Sequence, residues 1–129
     1  MEKKSYDINI TTEHDHQTTL FDWIRINRNL DPRLKAFFAV PNQRKWTIPQ
    51  FKYFEKEGFK SGVSDVLGLV PQGQYHGIVI EMKRKGGKPT PEQIEFLNMC
   101  RDNGYKTYIC FSAEEAIIAI QYYLSLERK

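Results

Sequence analysis

The sequence predicts an α/β fold with a central mixed sheet flanked by helices. Three observations carry that expectation. Short apolar runs and amphipathic stretches follow the order helix, strand, helix, strand, strand, helix, strand, helix. Most of the amphipathic stretches also open on capping residues and end at Gly or before Pro. The runs 66–70 and 78–80 are apolar almost throughout, which suits central strands covered on both faces.

Residues 1–12 are polar and read as an N-terminal arm or a weak edge strand, with Thr11 or Thr12 placed to cap the first helix. From Glu13 to about residue 29, Leu20, Trp23 and Ile24 recur at helical spacing, and Asp31-Pro32 stops the helix. Residues 36–40 form an apolar run closed by Pro41, read as a buried strand. Pro49 opens a short helix with Phe51 and Phe54 on one face, and Gly58 caps it. Residues 66–70 and 78–83 are expected to pair as a hairpin through a turn at 72–77. Thr90-Pro91-Glu92-Gln93 has the parts of a capping box, so a helix should run from Pro91 to about Asp102, burying Ile94, Leu97 and Phe96. Residues 105–111 form the next strand. Ser112 to Glu115 repeat the capping logic and start a last helix, expected to bury Ile117, Ile120 and Leu124.

A chain of 129 residues with 40% apolar side chains suits one domain over 1–129, and 13% aromatics argue against disorder. No apolar run is long enough to span a bilayer. The charged N-terminus does not read as a secretory leader. The two cysteines, Cys100 and Cys110, make no disulfide framework and are taken as reduced thiols, so a cytoplasmic location is expected. The net charge of +3 permits a polyanionic partner without demanding one, so any nucleic-acid footprint must come from local clustering.

Chemistry concentrates between Gly62 and Gln93. Asp65 begins one hairpin strand, and Glu81 and Lys83 end the other. Two residues apart in a strand, Glu81 and Lys83 face the same way. If the strands pair, Asp65 approaches Glu81, and the two carboxylates can share a hard divalent cation such as Mg2+, with the Met82 backbone carbonyl able to turn onto it. Lys83 can hold or help deprotonate a water, or neutralise charge on a phosphoryl group. That set matches metal-assisted phosphodiester hydrolysis. A purely structural salt bridge is the competing reading.

The surroundings add weight. Lys83, Arg84, Lys85 and Lys88 cluster positive charge beside the carboxylates, and Gly86-Gly87 lets the loop follow a surface. The alternative is a solvated turn. Glu13 could bring a third carboxylate from the first helix, or serve only the helix N-terminus. Gln93 could complete the Thr90 capping box or orient a water or phosphate. Arg44-Lys45-Trp46 is a basic, aromatic patch that could touch DNA or simply pack a loop. Trp23 reads as core. His14 and His16 do not face one way on a helix and make no zinc motif. There is no Walker phosphate loop, no Gly-x-Ser-x-Gly elbow and no activated cysteine motif.

The ordered set Gly62-Val63-Ser64-Asp65, Glu81-Met82-Lys83 and Gly86-Gly87-Lys88-Pro89-Thr90-Pro91-Glu92-Gln93 resembles the VRR-NUC family of the PD-(D/E)xK nuclease superfamily, nearest to its small stand-alone members, often carried by bacteriophages. The resemblance covers residues 13–111 and includes Val40-Pro41-Asn42. It implies a restriction-endonuclease-like core and Mg2+- or Mn2+-dependent DNA cleavage that leaves a 5′ phosphate, directed at flap, branched or junction DNA. It also implies a homodimer, in the host cytoplasm for a phage-encoded chain. By the same resemblance Asp65 and Glu81 are metal-binding acids, Lys83 the catalytic lysine and Gln93 the glutamine of the following helix. Glu13 corresponds to the acid of the first helix. Ser64 stands where the superfamily name has Pro, a turn-shaping position. Arg84, Lys85, Lys88, Arg44 and Lys45 would then grip the DNA backbone. The rival readings are a non-catalytic nucleic-acid-binding or assembly module on the same fold, and a sequence-specific restriction-like endonuclease.

Overall fold

The computed structural model describes residues 12–41 and 46–128. Arg44, Lys45 and all of the expected arm except Thr12 lie outside them. Helix α1 (Glu13–Asn27) opens on Thr12, whose side chain accepts the Asp15 N–H at 3.0 Å. A 3-10 turn, Pro32–Ala36, then precedes strand β1 (Phe37–Ala39). The sequence pattern did not separate this turn from the strand. Asp31 caps it, and Pro32 begins it where its missing N–H costs nothing.

Helix α2 (Ile48–Glu55) starts on a complete Thr47–Gln50 capping box. Strands β2 (Val66–Gly68) and β3 (Ile78–Met82) form the expected hairpin, with Val66 opposite Ile80 and Gly68 opposite Ile78. Helix α3 (Pro91–Asp102) carries the chain across the sheet to strand β4 (Lys106–Cys110), which runs parallel to β3, and helix α4 (Ala113–Ser125) completes the order.

The sheet has the order β1-β2-β3-β4, antiparallel except for the last pair. It is the mixed sheet the sequence predicts, with helices on both faces. Strand β3 lies between two partners and buries all five of its residues. β1 is an edge strand, not a buried one. Phe37 is buried while Phe38 and Ala39 are exposed. Gly68 has a steric reason: a Cβ there would sit 2.6 Å from the Phe37 ring and 2.7 Å from Ile78.

One core lies where α1 and α4 cover the sheet. Leu20, Ile24, Phe37, Ile80, Met82, Ile120 and Tyr123 are among its members. Full burial of each aliphatic side chain contributes about 1.5–3 kcal/mol. A smaller core on the opposite face joins Val79 to Leu97 and Cys100 of α3. Alternation along β3 therefore sends Ile78, Ile80 and Met82 to one core and Val79 to the other.

Two expected helix faces shift. On α3, Leu97 and Cys100 are buried, whereas Ile94 is exposed. On α4 the buried stripe is Ala113, Ala116, Ala119, Ile120 and Tyr123, with Ile117 and Leu124 packed at its margin. The alanines leave room for α1 to approach closely, a feature that a search for large apolar residues overlooks. Tyr123 is core, not surface: its hydroxyl donates to the Val70 carbonyl at 2.7 Å. Trp23 is half-buried against the same core. His16 is structural, its Nδ1 accepting the Ala113 N–H at the start of α4. Among the described residues, no helix is long and apolar enough to cross a membrane.

Candidate active site

The hairpin register places Asp65 one step beyond the Val66–Ile80 pair, opposite Glu81. Residues opposite each other across antiparallel strands share a face, so the two carboxyls converge. β2 ends before it can offer a ladder partner to the end of β3. Asp65 substitutes: its Oδ2 accepts the Met82 N–H at 2.8 Å. The Asp65 backbone also serves the sheet, accepting the Val40 N–H at 2.9 Å. On the other side of β3, Lys83 N–H donates to the Cys110 carbonyl at 2.9 Å, which extends the parallel ladder and holds Lys83 in line. Asp65 is thus fixed by the same hydrogen bonds that end the sheet.

Glu81 is 1% exposed, and its Oε1 is buried without a hydrogen-bond partner. Its other oxygen lies 3.8 Å from Lys83 Nζ. Removing a carboxylate from water is costly unless it is paired, and this one is only partly compensated. Its pKa is pushed from an ordinary 4.5 up to about 9. Burial is the largest cause, followed by the Asp65 charge and a hydrogen bond shared with Asp65, with a small contribution from Glu13. Lys83 opposes the rise. Without a cation, the acidic pair therefore holds one proton at neutral pH.

These side chains line a cleft of about 600 Å3, together with Glu13 and Gln93. The sequence-predicted site residues Glu13, Asp65, Glu81, Lys83 and Gln93 are thus brought together on its wall. Gln93 completes the expected capping box: its Oε1 accepts the Thr90 N–H at 2.9 Å, while the Thr90 hydroxyl accepts the Gln93 N–H at 3.2 Å. The box leaves the Gln93 amide NH2 for the cleft. Gly62, at φ +83°, lets the chain pass α3, since a Cβ there would meet the Glu92 carbonyl at 2.7 Å.

One part of the lining was not anticipated. Ile48 and Phe51 of α2 form it with Trp46. Trp46 stacks on Phe54 at 4.6 Å between centroids and meets Phe59 edge-on at 5.3 Å. α2 buries none of its residues and is held through this aromatic cluster. The clue was the run of Phe and Trp from 46 to 59. Trp46 packs its loop, as one of its two readings had it, and faces the cleft as well.

Beyond the site, Arg84, Lys85 and Lys88 are exposed on the loop after β3, which turns through a Gly87 N–H to Arg84 carbonyl bond of 2.9 Å. None of the three pairs with an acid among the described residues. Cysteine chemistry is disfavoured, because burial raises the Cys100 thiol and pushes Cys110 up to about 12. Among the described residues, no group of three or more His, Cys, Asp or Glu side chains forms a metal-holding cluster. A Mg2+ site needs fewer: one or two carboxylates suffice when waters complete the shell. The orphaned Glu81 oxygen and the hard-oxygen pair it forms with Asp65 fit such an ion.

A profile of the VRR-NUC domain family matches residues 2–114. A solved structure described as a VRR-NUC domain protein is 25% identical and superposes with a TM-score of 0.79, covering 94% of each chain. No curated protein matches the sequence.

Proposed function

The chain belongs to the VRR-NUC domain family, which supports a nuclease-like function and engagement of nucleic acid; from that premise we propose that it is a divalent-cation-dependent DNA endonuclease selective for flap, branched or junction structures. The observation that carries the proposal is the buried Asp65–Glu81 pair with Lys83 beside it, opening onto a cleft next to an exposed basic loop. A structural salt bridge alone does not call for a second carboxylate that drives Glu81 to hold a proton.

Asp65, Glu81 and the Met82 carbonyl would hold Mg2+ or Mn2+, with Glu13 at the edge of the shell. Within a strand, a residue's N–H and C=O lie on the same edge, so the Met82 carbonyl shares the edge on which its N–H meets Asp65. When bound, the ion supplies charge stabilisation to the phosphoryl oxygens and makes water more acidic. Lys83 orients the attacking water or neutralises charge on the phosphoryl group. The Gln93 NH2 donates to that water or to a phosphate oxygen. Attack on phosphorus breaks the bond to the 3′ oxygen, which takes up a proton and leaves as a hydroxyl. The other fragment keeps a 5′ phosphate. Arg84, Lys85 and Lys88, with Arg44 and Lys45, contact backbone phosphates without reading sequence. A homodimer would set two such sites on two strands, as cutting a symmetric junction requires.

The test is incubation with magnesium and end-labelled linear, flap, splayed-arm and four-way-junction DNA. Selective cuts at the branch support the proposal. Binding without cleavage on every substrate favours a non-catalytic module. Cutting at one sequence in linear duplex favours a restriction-like enzyme.

A further inference from the structure

A second groove, of about 480 Å3, runs beside α1. His14, Arg25, Arg28 and Lys35 line it beside the apolar Phe21, Phe37 and Phe38, and among the described residues no acidic side chain does. Residues adjacent in the chain line the two openings. Glu13 lines the cleft and His14 the groove, while Val40 lines the cleft and Ala39 the groove.

The positive charge collects at its far end. Arg25 lies three helical turns beyond Glu13, roughly 18 Å at 1.5 Å per residue. That is about five base-pair steps at 3.4 Å each. Arg25, Arg28 and Lys35 are all exposed. Arg25 meets Asp22 at 3.2 Å, but both side chains are more than half exposed, and such a pair gives way easily to a phosphate. Arg25 and Arg28 would also suit the C-terminus of α1 on dipole grounds. Lys35 belongs to the 3-10 turn after it, so the helix dipole does not account for its place in the cluster.

We infer that this groove carries the phosphate backbone of a DNA arm that leaves the cleft, gripping it about five base-pair steps beyond Glu13 at the cleft edge. The inference deepens the nuclease reading and rests on it. It assigns Arg25, Arg28 and Lys35 to positioning the arm, not to the reaction.

The experiment measures binding of fluorescent branched DNA in EDTA over a range of salt. The wild type is compared with the Arg25→Ala/Arg28→Ala/Lys35→Ala variant, and with an Arg25→Lys/Arg28→Lys variant. Arms long enough to reach the groove are compared with arms of about four base pairs. The alanine variant should bind long-armed DNA about 10- to 100-fold more weakly. Its log–log salt slope should fall by about 2–3, near 0.9 per lost phosphate contact. Shortening the arm should weaken the wild type similarly and the alanine variant hardly at all, and the lysine variant should retain the wild-type slope. Unchanged thermal midpoints show that the variants fold. Equal affinity and slope for wild type and alanine variant on long arms would overturn the inference alone. Failure of the wild type to bind any DNA would overturn the nuclease reading with it.

Discussion

Replacing Glu81 by Gln should change how stability depends on pH in metal-free protein. Glu81 is buried, with one oxygen unpartnered and the Asp65 carboxylate beside it, and its pKa stands at about 9 in the fold against an ordinary 4.5. Between those values the folded chain holds a proton that the unfolded chain has released. A raised carboxyl of this kind contributes stability that is full below the unfolded pKa and is lost as pH rises through the folded one. One proton corresponds to about 1.4 kcal/mol per pH unit, so about 3 kcal/mol disappears between about pH 6 and pH 8. Glutamine keeps the shape and cannot ionise. The assay is urea unfolding in EDTA at about pH 6, 7 and 8, for wild type and Glu81→Gln. Wild-type stability should fall relative to the variant by about 1.4 kcal/mol per unit. Excess magnesium should abolish much of that fall, because the ion replaces the proton. Parallel pH profiles would refute the reasoning, since they would mean that Glu81 is ionised in the apo fold.

Other outcomes rest on the same contacts. Gln93→Ala breaks half of the α3 capping box and should cost about 1 kcal/mol in thermal unfolding. Gln93→Glu can keep the box, so a loss of cleavage by that variant at unchanged stability would place the amide donors in the reaction. Tyr123→Phe leaves the Val70 carbonyl unpaired in the core and should cost about 1–3 kcal/mol in chemical unfolding, with cleavage unchanged below the transition.

Capping chemistry carried much of the fold. Thr90 with Gln93 opens α3, and Thr12 opens α1, because orphan N–H groups at a helix start select those side chains. Ser112 accepts the Glu115 N–H as expected, but the Glu115 carboxylate reaches back to Phe111 rather than closing a box on Ser112. The approach of Asp65 to Glu81 was legible because a hairpin's register fixes which residues face each other. Other features depend on packing from distant segments. Ile94 is exposed although it shares a helix with buried Leu97, and α4 packs through alanines, because neighbouring helices decide which face is covered. The apolar residues of 46–59 suggested a small helix, but not that their rings would wall the cleft. The Asp65 to Met82 N–H bond arises where β2 stops, and sequence patterns locate strand ends poorly.

The most direct test of the central claim is cleavage of an end-labelled substrate by wild type and Lys83→Ala, each with magnesium and each with EDTA. Lys83 is buried 3.8 Å from Glu81 on the cleft wall, so its loss should reduce cleavage by at least about 100-fold while DNA binding persists. EDTA should abolish wild-type cleavage, and the magnesium products should carry 5′ phosphates. Undiminished cleavage by Lys83→Ala, or cleavage that survives EDTA, would contradict the assignment of this cleft as a metal-dependent nuclease site.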